Sequence, residues 1–294
     1  MQYPCQMKTG TGRIKVRFKI MEHHLQPNLN SEVKLSVTPA SAGWRYLSFS
    51  MLALQAGRTH VHLTENTEVA IVPLSGAGQV TVGDQSFVLE RESVFAGKPH
   101  VLYVPPGKEI SIEAKTDFEF SLGGAPAEGK YLVCLFKPEE MKSEMRGGGT
   151  ALRQVNHILA APLPAERLIL FEVYVPGGAW SGWPPHCHDG YAGSPYLEEV
   201  YYYRFSPGYG FGIHRNYRKD EDFNEVFSVR HGEAVLVTRG FHPTTASPGS
   251  NMYFLNYLAG ELLDEARATP PVDDTDFAWM KQDWDGKRLI LPLT

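Results

Sequence analysis

The chain has 294 residues, a length that suits two domains of ordinary size or one large all-β unit. Its 43% hydrophobic and 21% charged residues are typical of a globular protein and exclude a disordered chain. The net charge of −5 argues against a nucleic-acid groove, and no apolar run approaches the length of a membrane span. Three cysteines, Cys5, Cys134 and Cys187, are odd in number and far apart, so we predict no disulfide framework and a cytoplasmic location.

The first half of the chain has the pattern of a β-barrel. Residues 1–29 are predicted to be an N-terminal extension, because the first twenty scatter their positive charges and form no apolar segment. In residues 30–145, short alternating runs recur between Gly, Pro, Asn and Asp, with almost no amphipathic helix. Within them, GQVTVGDQSFVL (78–89) predicts a β-hairpin whose strands flank a Gly-Asp turn.

A charged, glycine-containing segment separates the two halves. EEMKSEMRGGGTALRQ (139–154) has no apolar run, which indicates a linker. Residues 146–294 then repeat the strand-rich texture of the first half. Two strand-rich halves of similar length predict an all-β fold with two barrels in tandem.

The segment SGWPPHCHDG (181–190) places His186 and His188 two residues apart. On a strand, residues i and i+2 point to the same face, so both imidazoles could bind one metal ion. The alternative is a pair of polar side chains at a strand edge. Cys187 alternates away from them and is predicted to pack.

The strand LEEVYYYRF (197–205) carries a candidate carboxylate ligand. A carboxylate inside a barrel needs a partner, and a metal cation supplies one. Alternation predicts that Glu199 faces inward with Tyr201 and Tyr203, whereas Glu198 points outward.

A third histidine extends the candidate site. GFHP (240–243) ends a long apolar run with His242. Three imidazoles and one carboxylate on neighbouring strands would form a catalytic type of metal site, with a position open for water or substrate.

The histidine pair, the later Glu and the distant His resemble the metal-binding pattern of cupin barrels. More closely, the chain resembles the 5-deoxy-glucuronate isomerase family of inositol breakdown, which is related to the 5-keto-4-deoxyuronate ketol-isomerases. The likeness covers most of the chain from about residue 30 onward. It rests on SVFAGKPHVLYVPPG (93–107), RQVNHI (153–158), SGWPPHCHD (181–189), YLEEVYYYRF (196–205), YGFGIHRNY (209–217) and VRHGEAVLVTRGFHPTTASPGSNMYFLNYLAG (229–260).

The resemblance implies a bicupin, with a degenerate N-terminal barrel at residues 30–145 and a metal-binding C-terminal barrel at residues 146–294. The implied divalent-metal ligands are His186, His188, Glu199 and His242. Zinc suits three nitrogens and one oxygen, and manganese and iron are compatible by ligand type. The common cupin pattern has its Glu soon after the second His, whereas DGYAGSPYLE intervenes here, so we expect an inserted loop.

The implied reaction is aldose–ketose isomerisation of 5-deoxy-D-glucuronate to 5-dehydro-2-deoxy-D-gluconate. Alternatives are a related uronate ketol-isomerase, a cupin dioxygenase and a non-catalytic sugar-binding cupin. We expect a small-molecule deoxy-uronate as partner, neither nucleic acid nor membrane, and a homo-oligomer, because cupin barrels often pair through exposed sheet edges.

Other polar residues of the second half are candidates for substrate chemistry. His214 and Tyr203 are candidate proton-transfer groups, and Tyr201 could bind substrate hydroxyls. Arg215 and Arg239 are candidate clamps for the substrate carboxylate, since guanidinium pairs bidentately with such groups. For all five, packing or surface exposure is the alternative.

Asp189 follows the histidine pair directly and is a candidate acceptor that orients an imidazole.

A second histidine pair lies in the first half, in AGRTHVHLTENTEVAI (56–71). By ligand count this region also fits the cupin pattern, although the resembled family normally lacks histidines here. The alternatives are a second metal site and a degenerate barrel with histidines at a strand edge. The residues concerned are His60, His62, Glu65, Glu68 and His100.

Overall fold

The computed structural model describes residues 22–293, which form an almost entirely β structure, as the sequence predicts. The predicted extension therefore lies mostly outside the described residues, as does Cys5. One short helix, α1 (Pro39–Ala42), is capped by the Thr38 side chain. The strands of the first half are β1 (His24–Leu25), β2 (Val33–Val37), β3 (Ser48–Leu54), β4 (Thr59–Leu63), β5 (Thr67–Val82), β6 (Gln85–Arg91), β7 (Val101–Val104), β8 (Glu109–Ala114), β9 (Phe118–Pro126) and β10 (Cys134–Phe136).

The second half contains twelve strands and short 3-10 helices. Within residues 22–293, no helix has the length and apolar character needed to cross a membrane. The 3-10 helices are Pro138–Glu140, Gly149–Ala151, Tyr191–Gly193, Asp264–Ala268 and Ala278–Lys281. The strands are β11 (Lys142–Arg146), β12 (Arg153–Leu159), β13 (Ile169–Val175), β14 (Trp180–Ser181), β15 (His186–Cys187), β16 (Leu197–Ser206), β17 (Phe211–Tyr217), β18 (Asn224–Arg230), β19 (Ala234–Val237), β20 (Thr244–Ala246), β21 (Asn251–Gly260) and β22 (Val272–Asp273).

The first barrel is organised by β5, which pairs with four other strands. Its first part pairs with β7 and β9, and its second part pairs with β6 and β8. The change of partners follows a register shift between Pro73 and Ser75. The predicted hairpin is confirmed, because Val82 pairs with Gln85 across the Gly-Asp turn.

The second barrel combines a large sheet and a small one. The large sheet has the strand order β1-β19-β16-β21-β13-β12-β11, and the small one has the order β14-β20-β17-β18. Apolar side chains from both sheets form one cluster, to which Val173 and Tyr203 contribute from the large sheet and Val229 from the small one. The space between these sheets holds the candidate site.

Strand pairing places two segments near the predicted domain boundaries in the sheet of the second barrel. β1, from the predicted extension, pairs with β19, and β11, from the predicted linker, pairs with β12. Both strands therefore belong to the sheet of the second barrel. The glycine triplet is a tight connection inside this sheet, since Gly147 has a φ of 78° and an added Cβ would lie 2.2 Å from the Ala151 oxygen.

A buried apolar core joins the two barrels. The Phe49 ring of β3 lies edge-on to Tyr257 of β21, with 5.3 Å between ring centroids. Gly123 of β9 faces the same tyrosine, and a Cβ there would come within 2.5 Å of the ring. The close approach of the barrels therefore depends on the absence of a side chain at residue 123.

Buried carboxylates also join the barrels. Glu198 is 1% exposed and accepts backbone N–H bonds from residues 45–47 at 2.7, 2.9 and 2.8 Å. It points into the other barrel and not outward to solvent, which corrects the expectation for this side chain. Glu68 of β5 makes the corresponding contact from the first barrel to the second. It accepts backbone N–H bonds from residues 166–168 at 2.8, 2.6 and 2.6 Å.

We expect Glu198→Ala to lower the free energy of unfolding by about 3–5 kcal/mol, because buried N–H groups would lose their acceptor. Urea denaturation followed by circular dichroism measures this change. Glu261→Ala is the matched control: it removes an exposed ion pair with Arg45 at the same junction, and its denaturation midpoint should stay close to that of the unmodified protein. Equal, small losses in both variants would contradict the assigned role of Glu198.

Candidate metal centre and substrate cavity

A cavity of about 340 Å³ lies inside the second barrel. This volume falls within the range of small-molecule sites in proteins. Much of the wall is apolar, which keeps the interior poor in competing hydrogen bonds. The apolar lining includes Val155, Ile169, Phe171, Val173, Leu197, Phe254 and Leu258.

Three imidazoles meet beside this cavity, and two of them, His186 and His188, line it. His186 belongs to β15, His188 follows that strand, and His242 precedes β20. Their ligand-capable nitrogens all lie within 4.8 Å of one another. Within residues 22–293, no other group of three or more His, Cys, Asp or Glu side chains converges in this way.

The inserted loop before β16 leaves the ligand geometry intact. Asp189 and Tyr196 form a bridge that closes the loop, and Leu197 donates its N–H to the His188 carbonyl at 2.7 Å. The inserted residues thus form a closed loop, as the sequence predicts, and the start of β16 lies beside His188.

Backbone carbonyls determine which ring nitrogens face the centre. Nδ1 of His188 donates to the Leu197 carbonyl, and Nδ1 of His242 donates to the Gly240 carbonyl, both at 3.0 Å. Because a carbonyl can only accept, each Nδ1 carries a proton. In the neutral rings, each Nε2 then presents a lone pair, which is the form that binds metals.

Glu199 faces both of these lone pairs. Its Oε2 lies 2.9 Å from Nε2 of His188 and 3.3 Å from Nε2 of His242. Nε2 of His242 is buried and has no hydrogen-bond partner within the described residues. Lone pairs and a carboxylate repel one another unless a cation or a proton lies between them. The donor set therefore fits a divalent metal.

Burial shifts the pKa values at this centre. It lowers the pKa of His186 to about 3 and that of His242 well below its usual range, with the neighbouring imidazoles adding to both effects. Burial raises the pKa of Glu199. Burial also acts to lower the pKa of His188, but the bond to Glu199 and its charge outweigh it, and the net shift is upward.

The C-terminal segment covers one side of the cavity. β22 pairs with β15, so that Asp273 lies opposite His186. The residues just before β22, Ala268 to Pro271, contribute to the cavity wall. The strand that carries His186 is therefore held by a segment far along the chain.

Asp189 acts on the centre less directly than the sequence predicts. Its carboxylate accepts from Arg218 at 2.7 Å and from the Gly240 N–H at 2.8 Å, and it forms no bond to an imidazole. Gly240 in turn accepts from His242. Asp189 thus orients this imidazole through residue 240.

The structure separates the two tyrosines. Tyr201 lines the cavity, whereas Tyr203 and His214 lie behind its wall. The Tyr203 hydroxyl bonds Nδ1 of His214 at 2.6 Å, and Nε2 of His214 bonds Asn216 at 2.8 Å. With both nitrogens occupied and no access to the cavity, His214 is unsuited to proton transfer with substrate; its ring supports Tyr201, with 4.9 Å between centroids.

The predicted carboxylate clamps lie at the surface. Arg215 stacks on Tyr217 at 4.1 Å, and Arg239 pairs with Glu221 at 3.0 Å. Both side chains are exposed and neither lines the cavity, which corrects the expectation for them. Alternation along β17 explains why the Arg215 side chain is exposed, because its neighbour His214 takes the inward position.

Sequence reasoning missed Arg153 and His157, which line the cavity from β12. Both lie in RQVNHI, and they share one strand face with Val155. The signal was their spacing of four residues on a strand, which puts both side chains on one face.

The first-barrel histidines do not form a comparable centre. His60 and His62 lie half-buried on β4, and Glu65 is exposed. Glu68 is occupied by backbone N–H groups and by the Tyr103 hydroxyl. His100 lines a separate surface depression beside Arg91. These positions favour the degenerate-barrel alternative.

Cys187 is buried against Tyr217 and Phe241, in the packing position that its parity predicts.

The KduI/IolB family model matches residues 20–280 of this sequence. The chain belongs to this family. It is 36% identical over 271 residues to the 5-deoxy-glucuronate isomerase of Geobacillus thermodenitrificans, across 90% of this chain and 96% of the relative. The 5-deoxy-glucuronate isomerase of Bacillus subtilis strain 168 is 34% identical over 242 residues, across 79% and 89% of the two chains.

Two solved structures have a similar fold, and one of them is described as IolB-like. An IolB-like protein from Salmonella typhimurium LT2 superposes with a TM-score of 0.84 at 32% identity, over 88% of this chain and 99% of that one. An oxalate decarboxylase mutant from Bacillus subtilis has a TM-score of 0.58 at 14% identity, over 86% and 80%. The second likeness concerns the fold alone, and it confirms the predicted tandem of cupin-like barrels.

We expect His242→Ala to retain less than about a tenth of the divalent metal held by the unmodified protein, because one of four donors and its fixed orientation are lost. Metal content after dialysis, measured by plasma mass spectrometry, tests this. His60→Ala is the control and should leave the content unchanged. A fall of similar size in His60→Ala would place metal in the first barrel.

Proposed function

We propose that this KduI/IolB-family protein is a metal-dependent aldose–ketose isomerase that converts 5-deoxy-D-glucuronate to 5-dehydro-2-deoxy-D-gluconate. The observation that carries the proposal is the convergence of three imidazoles beside a small cavity, with Glu199 in contact with two of them, His188 and His242. Eight relatives named 5-deoxy-glucuronate isomerase, at 32–36% identity, supply the substrate.

In this proposal His186, His188, His242 and Glu199 hold the divalent metal. Zinc is our assignment because three imidazole nitrogens and one carboxylate oxygen suit its tetrahedral preference, although manganese and iron accept the same ligands. The bound ion supplies an electrophile that polarises the substrate carbonyl and stabilises the negative charge that develops as the C2 proton leaves.

Tyr201 is placed to donate a hydrogen bond to a substrate oxygen. Its ring lines the cavity, and its hydroxyl has no partner within the described residues. Burial raises the pKa of Tyr201 well above its usual value, with the charge of Glu199 adding to the effect, so the hydroxyl stays protonated. The His214 ring fixes the orientation of Tyr201 from behind.

His157 replaces His214 as our candidate for the group that carries the proton between C2 and C1. Its Nε2 lies 2.9 Å from Glu144, and because a carboxylate accepts, this nitrogen carries the proton and Nδ1 can act as a base. Burial lowers the pKa of His157, against the opposing effect of Glu144, so the ring is neutral near pH 7. A carboxylate that orients an imidazole is a recurring arrangement in acid–base catalysis.

The test is incubation of the purified protein with 5-deoxy-D-glucuronate in D₂O, followed by proton NMR. We expect the aldehyde C1 signal to disappear, and prior treatment with a chelator to slow this loss at least about 100-fold. Added zinc should restore the rate. Oxygen consumption during turnover would instead indicate a dioxygenase, and sugar binding without conversion would indicate a non-catalytic cupin.

Tyr201→Phe should lower kcat about 10- to 100-fold, because the substrate loses a hydrogen-bond donor in a dry cavity. Tyr202→Phe is the matched control, since that ring lies on the opposite face of β16, in the core between the barrels. An unchanged kcat in Tyr201→Phe would show that this tyrosine has only a packing role.

A cytoplasmic location and a homo-oligomer stay predictions of the sequence.

A further inference from the structure

Arg153 is a buried cation without an acidic partner. It is 8% exposed, it begins β12, and it lines the same cavity as the histidines. Its Nη1 donates to the backbone oxygens of Ala151 and Trp183 at 3.1 and 3.0 Å. Its Nε is buried with no hydrogen-bond partner, and within residues 22–293 no carboxylate lies within ion-pair distance.

Such an arrangement is unfavourable unless a ligand completes it. Removing a guanidinium from water carries a large penalty that two carbonyl contacts only partly offset. Burial, together with the charge of Arg146, lowers the pKa of Arg153 to about 10, yet the side chain is still protonated at neutral pH. The cavity therefore contains an uncompensated positive charge with donors to spare.

The other arginines of the cavity are already satisfied. Arg146 is paired with Glu144 at 2.5 Å. Arg267 donates from Nε, Nη1 and Nη2 to three different backbone carbonyls. Elsewhere in the chain, the buried Arg91 is neutralised by Glu172 at 2.6 Å. Arg267 also has no carboxylate partner within the described residues, but all three of its nitrogens are bonded, whereas Nε of Arg153 has no hydrogen-bond partner.

We propose that Arg153 binds the carboxylate of the substrate and makes the enzyme selective for acidic sugars. The assignment rests on the proposed function, which places an open-chain uronate in this cavity with its C1 and C2 at the histidines. A terminal carboxylate is the counter-ion that a guanidinium prefers, and Nη2 of Arg153, which bonds no other group within the described residues, can donate to it at the cavity wall.

Its fixed position supports selectivity. The two carbonyl bonds hold the guanidinium between the loop before β12 and the loop before β15. Gly147 leaves room for it, since a Cβ at that residue would lie 2.8 Å from Nη1. A donor that is held before the ligand arrives loses little freedom on binding.

The test compares two open-chain probes of the same size, D-gluconate and D-sorbitol, which differ in one terminal carboxylate. Isothermal titration of the metal-loaded protein should show tighter binding of gluconate. Arg153→Met should weaken gluconate binding about 10- to 100-fold and leave sorbitol binding unchanged. Arg153→Lys should keep part of the preference, because it retains the charge without the planar edge.

Arg239→Met is the matched control, because this exposed arginine lies outside the cavity, and it should keep the full preference. With 5-deoxy-D-glucuronate, Arg153→Met should raise KM more than it lowers kcat. The metal content and melting temperature of each variant are measured to exclude a collapsed site. If Arg153→Met does not fold, the gluconate preference of Arg153→Lys decides.

Retention of the gluconate preference in Arg153→Met, or its absence in the unmodified protein, would overturn the assignment. The outcome is separable from the proposed reaction. A protein that shows the Arg153-dependent preference but does not convert 5-deoxy-D-glucuronate would retain the carboxylate site and lose the isomerase function. Normal turnover of 5-deoxy-D-glucuronate with no effect of Arg153→Met on gluconate binding would support the isomerase function and overturn the carboxylate site.

Discussion

The pleat of strand β16 constrains both halves of the molecule. Neither face of this strand is solvated: Glu198 and Tyr202 point into the other barrel, and Glu199 and Tyr201 point into the cavity. Adjacent acids in the chain therefore hold the barrels together and contribute to the candidate metal centre. A shift of one residue in the pairing of β16 would exchange these roles and lose both.

Unpaired charge is the second constraint on the structure. It indicates that the cavity is a binding site. The backbone fixes two imidazoles with their lone pairs toward Glu199, and Arg153 is buried without a counter-ion. Buried polar groups in folded proteins are normally satisfied. Here an excess of acceptors and a free donor border the same cavity, a pattern that a cation and an acidic sugar would complete together.

The sequence was informative where the chemistry follows strand alternation. The spacing of His186 and His188 and the parity of Glu199 are local properties of the sequence, and in the structure these three side chains line the cavity. The sequence did not predict what surrounds the Glu198 side chain, because a strand face toward solvent and a strand face toward a second barrel have the same residue pattern at this position.

The arginines show the same limit. Arg215 lies on a strand of the site but at the outward parity, whereas Arg153 is buried at a place where Gly147 leaves room for its guanidinium. The pairing of β15 with β22 has a consequence for synthesis. The two-residue strand that carries His186 has a partner only once Val272 and Asp273 have left the ribosome. The centre therefore closes only after a long loop of chain has been formed, and the contacts of the barrel must offset the entropic cost of that closure.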